Sequence, residues 1–167
     1  MAHAHDHTAD RRPVRVLTLT ISDTRKEADD TSGALLREAL TAAGHTVVRH
    51  VIVPDEPTRV RDVITRAIDG GEADAVVSTG GTGIAPRDQT YEAVSALLEK
   101  TLDGFGEAFR RLSWDEIGPR SMLSRAVGGT YRGALVFALP GSTAAVRLGV
   151  ERLIIPVLSH AVALLRP

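Results

Sequence analysis

Three short apolar runs, at residues 14–21, 46–53 and 74–78, are separated by two stretches whose apolar residues recur at helical spacing. No other feature limits the fold as much. Leu35, Leu36, Ala39 and Leu40 mark the first helix, with cap chemistry in Asp30-Thr31-Ser32 and a stop at Gly44. Val60, Val63, Ile64, Ala67 and Ile68 mark the second, which follows the turn Pro54-Asp55-Glu56-Pro57 and ends at Gly70-Gly71. Strands that alternate with helices in this way pair in parallel, because each helix carries the chain back to the starting edge. The expectation is an α/β three-layer sandwich, with a mainly parallel sheet and helices on both faces.

The remaining chain adds to that plan. Residues 92–99 and 103–112 read as helices, the second with Phe105, Phe109 and Leu112 inward, while Arg110 and Arg111 form a solvated face. Residues 113–125 are mixed and polar. Val127–Tyr131 and Ala134–Leu139 read as a C-terminal antiparallel hairpin turning at Arg132-Gly133. A long apolar helix then runs to Leu165, with a kink expected at Pro156. Residues 1–13, with His3, His5 and His7, read as a flexible tail, and residues 14–167 as one domain.

Composition removes several functions. There is no cysteine, so disulfides, thiolate metal sites and cysteine nucleophiles are excluded. A net charge of −1 argues against a general nucleic-acid binder. No apolar leader opens the sequence, and no uninterrupted apolar run reaches membrane-spanning length, so a cytoplasmic protein without membrane partners is expected.

The densest chemical signal is Thr79-Gly-Gly-Thr-Gly83, immediately after the third apolar run. Glycines let a backbone approach a ligand closely, and successive amides in such a loop form an anion-holding concavity. The spacing fits neither the P-loop nor the dinucleotide fingerprint, so a phosphate cradle and a tight connecting turn both remain open. Asp55 ends the second strand and Asp88 follows the loop. As bland alternatives they are turn and cap residues; together on one rim they suit Mg²⁺ beside phosphate oxygens. Ser22, Asp23, Asp30, Ser32 and Gly33 follow the first strand at the same edge, where capping or anion attraction is possible. Ser124-Arg125 and Leu139-Pro-Gly-Ser142 are the remaining candidates, with Arg125 able to grip a phosphate bidentately or to form a surface ion pair.

Taken together, Ile21-Ser-Asp23, Asp30-Thr-Ser-Gly33, Val53-Pro-Asp-Glu56, Thr79-Gly-Gly-Thr-Gly83 with Arg87-Asp88, Gly104-Phe-Gly-Glu107, Ser124-Arg-Ala126 and Leu139-Pro-Gly-Ser142 resemble the MoaB/MogA family of molybdenum cofactor biosynthesis. Asp29-Asp-Thr-Ser-Gly33 and Leu112-Ser-Trp-Asp-Glu-Ile-Gly118 lean toward the MoaB branch. The resemblance implies a molybdopterin-binding protein whose active members use Mg-ATP to adenylylate the terminal phosphate of molybdopterin, releasing pyrophosphate. It implies Asp55 and Asp88 as catalytic carboxylates and Mg²⁺ ligands. Thr79, Gly80, Gly81, Thr82, Gly83, Ser124, Pro140, Gly141 and Ser142 would bind the pterin substrate. Ser22, Asp23, Asp30, Ser32 and Gly33 would bind the nucleotide. Homotrimers or homohexamers, with other cofactor-biosynthesis enzymes as partners, are also implied, as is an alternative role as a non-catalytic molybdopterin carrier. Tyr91 stands where the family often has proline, which affects either loop rigidity or ligand stacking.

Overall fold

The computed structural model describes residues 12–166; the histidines expected in the tail lie outside them. The strands are β1 (Arg15–Ile21), β2 (Thr46–Val53), β3 (Ala75–Thr79), β4 (Lys100–Thr101), β5 (Val127–Tyr131) and β6 (Ala134–Leu139). The helices are α1 (Thr31–Ala42), α2 (Pro57–Asp69), α3 (Thr90–Ser95), α4 (Asp103–Ile117), α5 (Thr143–Gly149) and α6 (Ile155–Leu165). They form one sheet in the order β2-β1-β3-β6-β5-β4. The first four strands in that order are mutually parallel, whereas β5 is antiparallel to both β6 and β4.

Alternate residues of the central strands feed two cores. Val16, Val77, Leu135, Phe137 and Leu139 pack on one face with Leu36 and Leu40 of α1, Phe109 of α4 and Val146, Ile154 and Leu158 of the C-terminal helical run. Leu17, Leu19, Val76, Val136 and Ala138 pack on the other face with Val60, Ile64 and Ala67 of α2 and Ala93 and Val94 of α3. This two-sided burial is what a mostly parallel sheet requires. The hairpin turns on two residues of positive φ, Arg132 at +45° and Gly133 at +73°, which match the twist of the paired strands.

Three expectations change. The helix expected over 92–99 is the shorter α3, and the chain then forms the two-residue edge strand β4 through Glu99 N–H to Thr130 O and Leu102 N–H to Gly128 O. Two residues leave no periodic pattern to read. Helix α4 runs on to Ile117 into the stretch expected to be mixed, and Gly118 with φ +59° stops it. Pro156 is accommodated by a π-turn over Val150–Ile154, where the Ile155 N–H reaches back to Val150 O. The 23-residue helical run Thr143–Leu165 is long and apolar enough to cross a membrane by length and composition, although Arg147, Glu151 and Arg152 interrupt its apolar sequence. Its buried stripe lies on the sheet and Arg147, Glu151 and Arg152 face solvent, the pattern of a core helix.

At the amino ends of β1 and β3, Asp74 holds the C-terminal segment to the sheet. Its carboxylate accepts from Arg15 N at 3.1 Å and Arg15 Nη2 at 2.7 Å, and it pairs with Arg166. Burial raises the Asp74 pKa, but the two guanidiniums outweigh it and leave the carboxyl below the ordinary value. This stabilisation is therefore present above the unfolded-state pKa of about 4 and is lost as pH falls through the folded-state value. Asp74→Asn is expected to lower urea stability at pH 7 by roughly 1–3 kcal/mol, with the difference from the unaltered protein closing below about pH 4.

Candidate functional site

The strand ends form a level rim. Ile21 lies opposite Val53, Thr20 opposite Thr79, and Thr79 opposite Leu139. The connection from β1 to β2 runs through α1 on one face, and that from β2 to β3 through α2 on the other. Such a switch opens a crevice beyond the carboxyl ends of the strands. The loops after β1, β2, β3 and β6 all empty into it, and with them the sequence-predicted residues.

The 80–83 loop is shaped by close approaches. Gly80 has φ +103° and Gly81 φ +68°. A Cβ on Gly80 would overlap the Ile21 carbonyl oxygen, and one on Gly81 would overlap Thr90 Oγ1 and an Asp55 oxygen. The loop is tied to its neighbours mainly through its carbonyls. Gly81 O accepts from Thr90 N at 3.1 Å and Thr82 O from Arg125 N at 3.2 Å. Gly83 O accepts from Arg125 Nε at 2.9 Å and Nη2 at 2.7 Å. Thr79 Oγ1 donates to Pro140 O at 3.0 Å and Gly80 N to Leu139 O at 2.9 Å. Among the described residues, no protein acceptor takes the amides of Gly81, Thr82 or Gly83.

Arg125 therefore does not stand free to grip a phosphate. Its guanidinium also donates to Asp88 O at 3.0 Å, pairs with Glu92, and lies 4.9 Å from the ring centre of Tyr91. Tyr91 is thus linked to the loop through Arg125, by a cation–π contact. Arg110, expected to be solvated, turns back toward Ser124 O at 3.4 Å and Ala126 O at 3.5 Å, whereas Arg111 is exposed and pairs with Asp115.

Asp55 and Asp88 both reach the loop. Asp55 accepts from Gln89 N and from Thr90 Oγ1, each at 3.4 Å, and packs against Gly81. Asp88 accepts from Ala85 N at 3.0 Å and packs against Gly83. Asp23 Oδ1 accepts from Asp55 N at 3.2 Å, and its other oxygen pairs with Arg87. Burial first, with help from the charges of Asp88 and Asp23, raises the Asp55 pKa even though Gln89 and Thr90 oppose it. Crowded negative charge of this kind suits a divalent cation. Among the described residues no group of three or more side chains is arranged to hold a metal, so two carboxylates would serve Mg²⁺ only together with phosphate oxygens.

Other predicted residues turn inward. Asp30 is buried: it accepts from Gly33 N at 3.0 Å, Thr20 Oγ1 at 2.7 Å and His50 Nε2 at 2.9 Å. Burial raises its pKa, but those donors together bring the carboxyl below the ordinary value. Gly33 packs on that carboxylate, and Ser32 Oγ donates to Gly141 O at 2.8 Å. The side chains of Asp30 and Ser32 are thus engaged in supporting the rim from within. Ser22 Oγ accepts from Arg25 N at 3.1 Å, and Ser142 caps α5 through Ala145 N at 3.2 Å. Ser124 Oγ accepts from Ala126 N at 3.3 Å, at the edge of a ≈ 440 Å³ cleft lined in part by Tyr91, Gly106, Glu107 and Arg110. Thr90 and His50 were missed. Thr90 lay before the expected helix over 92–99 and drew no notice, and nothing local to His50 signals a partner 20 residues away.

The Asp55 shift has a definite sign. A carboxyl whose folded pKa is raised weakens the fold once pH exceeds its unfolded value. Asp55→Asn is therefore expected to melt higher than the unaltered protein at pH 7 without ligand, the gap closing below about pH 4. A lower melting temperature at pH 7 would contradict this electrostatic picture.

The same arrangement of strands and loops is found in known proteins. Residues 17–160 match the model of a family described as a probable molybdopterin binding domain. Molybdenum cofactor biosynthesis protein B of Bacillus anthracis is 49% identical over 150 residues, covering 89% of each chain. A crystal structure of a molybdenum cofactor biosynthesis protein B matches with a TM-score of 0.90 at 47% identity, covering 93% of this chain and 97% of that one. The tungsten cofactor synthesizing protein MoaB from Pyrococcus furiosus matches with a TM-score of 0.83 at 39% identity, covering 93% and 99%. With the family model spanning most of the chain and relatives this similar along nearly their whole lengths, the chain belongs to the MoaB/MogA family of molybdenum cofactor biosynthesis proteins, on its MoaB branch.

Proposed function

We propose that the rim binds molybdopterin and Mg-ATP and transfers AMP to the terminal phosphate of the pterin. The observation that carries this reading is the loop with three unclaimed amides beside Asp55 and Asp88. Amides and carboxylates together suit phosphates that arrive with a cation, whereas carboxylates alone would repel them. The cleft beside Ser124 and Tyr91 adjoins the loop through Arg125, and offers room for the pterin ring. Exposed Trp114, Ile117, Val157 and Leu164 support self-association as a trimer or hexamer.

The chemistry asks mainly for alignment. A phosphate monoester oxygen of molybdopterin forms a bond to the α-phosphorus of ATP as the bond to the bridging α–β oxygen breaks, and pyrophosphate carries away the electron pair. The attacking oxygen is already ionised at neutral pH, so no strong base is needed. The amides of Gly81, Thr82 and Gly83 would hold phosphate oxygens, and Asp55 and Asp88 would hold Mg²⁺. When bound, that ion supplies charge neutralisation between two anions and at the leaving pyrophosphate. Arg125 would help fix the loop through its two hydrogen bonds to the Gly83 carbonyl.

The test is pyrophosphate release, with mass spectrometry of the pterin product. The unaltered protein is expected to yield adenylyl-molybdopterin. Asp88→Asn is expected to lower turnover by about 100-fold while retaining molybdopterin binding. Tight molybdopterin binding without any ATP-dependent product would replace the transferase reading with that of a carrier.

A further inference from the structure

The rim has to accept two phosphate-bearing molecules, yet it presents three carboxylates, Asp23, Asp55 and Asp88. Three arginines stand at this rim, and two of them are committed to backbone. Arg125 is held by Gly83 O, Asp88 O and Glu92. Arg25 reaches Gly141 O at 3.4 Å and the buried Asp30 at 3.6 Å. Arg87 differs from both. Its side chain is 67% exposed, and among the described residues its guanidinium is hydrogen-bonded through Nε to Asp23 alone.

We propose that Arg87 is the residue that grips the polyphosphate of the nucleotide, and that Asp23 holds it over the site until the nucleotide arrives. The inference rests on the nucleotide-binding reading above and adds a specific group to it. An exposed ion pair contributes little to stability, so exchanging one anion for another costs little. The guanidinium fork matches phosphate oxygens bidentately and keeps its charge at any working pH. Asp23 remains placed after release, because its other oxygen accepts the Asp55 amide at 3.2 Å.

Calorimetric titration of the full chain with Mg-ATP, and with adenosine as a probe lacking phosphates, tests this. Arg87→Ala is expected to weaken Mg-ATP binding by about 10-fold and to leave adenosine binding and the melting temperature unchanged. Arg87→Lys should restore only part of the loss, since an ammonium lacks the fork. Asp23→Asn frees the arginine and should bind Mg-ATP at least as tightly as the unaltered protein. Unchanged Mg-ATP affinity in Arg87→Ala would overturn the inference while leaving the proposed reaction standing. Equal loss of adenosine would also overturn it, by pointing to a collapsed loop, and weaker Mg-ATP binding by Asp23→Asn would overturn the holding role. If the unaltered protein bound no Mg-ATP, the nucleotide reading and this inference would fall together.

Discussion

The rest of the structure depends on the approach of Gly80 to the carbonyl of Ile21, a contact too close for any side chain. It is possible because β1 and β3 pair in parallel with their carboxyl ends level, Thr20 against Thr79. Once Gly80 is seated there, the chain must leave in a conformation of positive φ, and Gly81 continues it at +68°. That path brings Gly81 against Asp55 from the neighbouring loop and Gly83 against Asp88. A cradle of amides flanked by carboxylates is thus a consequence of strand register. A larger residue at Gly81 would displace the Asp55 carboxylate as well as strain the backbone, and one at Gly83 would displace that of Asp88.

The two ends of the sheet treat charge differently. At the amino ends, Asp74 is matched by Arg15 and Arg166, and its carboxyl is pulled below the ordinary value. At the carboxyl ends, Asp55 has only weak donors and two acidic neighbours, and burial pushes its pKa up. One aspartate consolidates the fold, whereas the other is held at some expense to stability. Unrelieved charge on a rim of loops is expected where a ligand supplies the missing cation. Asp30 is a third case. It is buried like Asp74 but serves the rim, fixing the start of α1 so that Ser32 can hold Gly141.

Much of this was legible in the sequence because it is periodic or punctuated. The parallel strands followed from apolar runs separated by helical spacing, and the hairpin from Arg132-Gly133. Residues 79–83 stood out because glycines cluster directly after a buried strand. What escaped was either too short or too distant in sequence. Strand β4 has two residues and is defined by partners on β5. Asp30 looked like a surface cap, and its partnership with His50 exists only because β2 lies beside β1, with His50 opposite Thr18. Arg125 read as either a bidentate phosphate ligand or a surface ion pair, and the structure shows the ion pair, with Glu92. Its actual work, holding loop carbonyls, depends on β5 entering the rim antiparallel to β6. Proline at 156 signalled a break in regular helix, yet its form, a π-turn, depends on packing that composition does not encode.

The central claim is that the unclaimed amides of Gly81–Gly83, together with Asp55 and Asp88, hold phosphates and their metal ion. A crystal structure of the protein with Mg-ATP tests it most directly. The account predicts phosphate oxygens within hydrogen-bond distance of those amides and Mg²⁺ between the phosphates and the two carboxylates. Nucleotide density lodged away from this rim, with Asp55 and Asp88 facing only solvent, would contradict it.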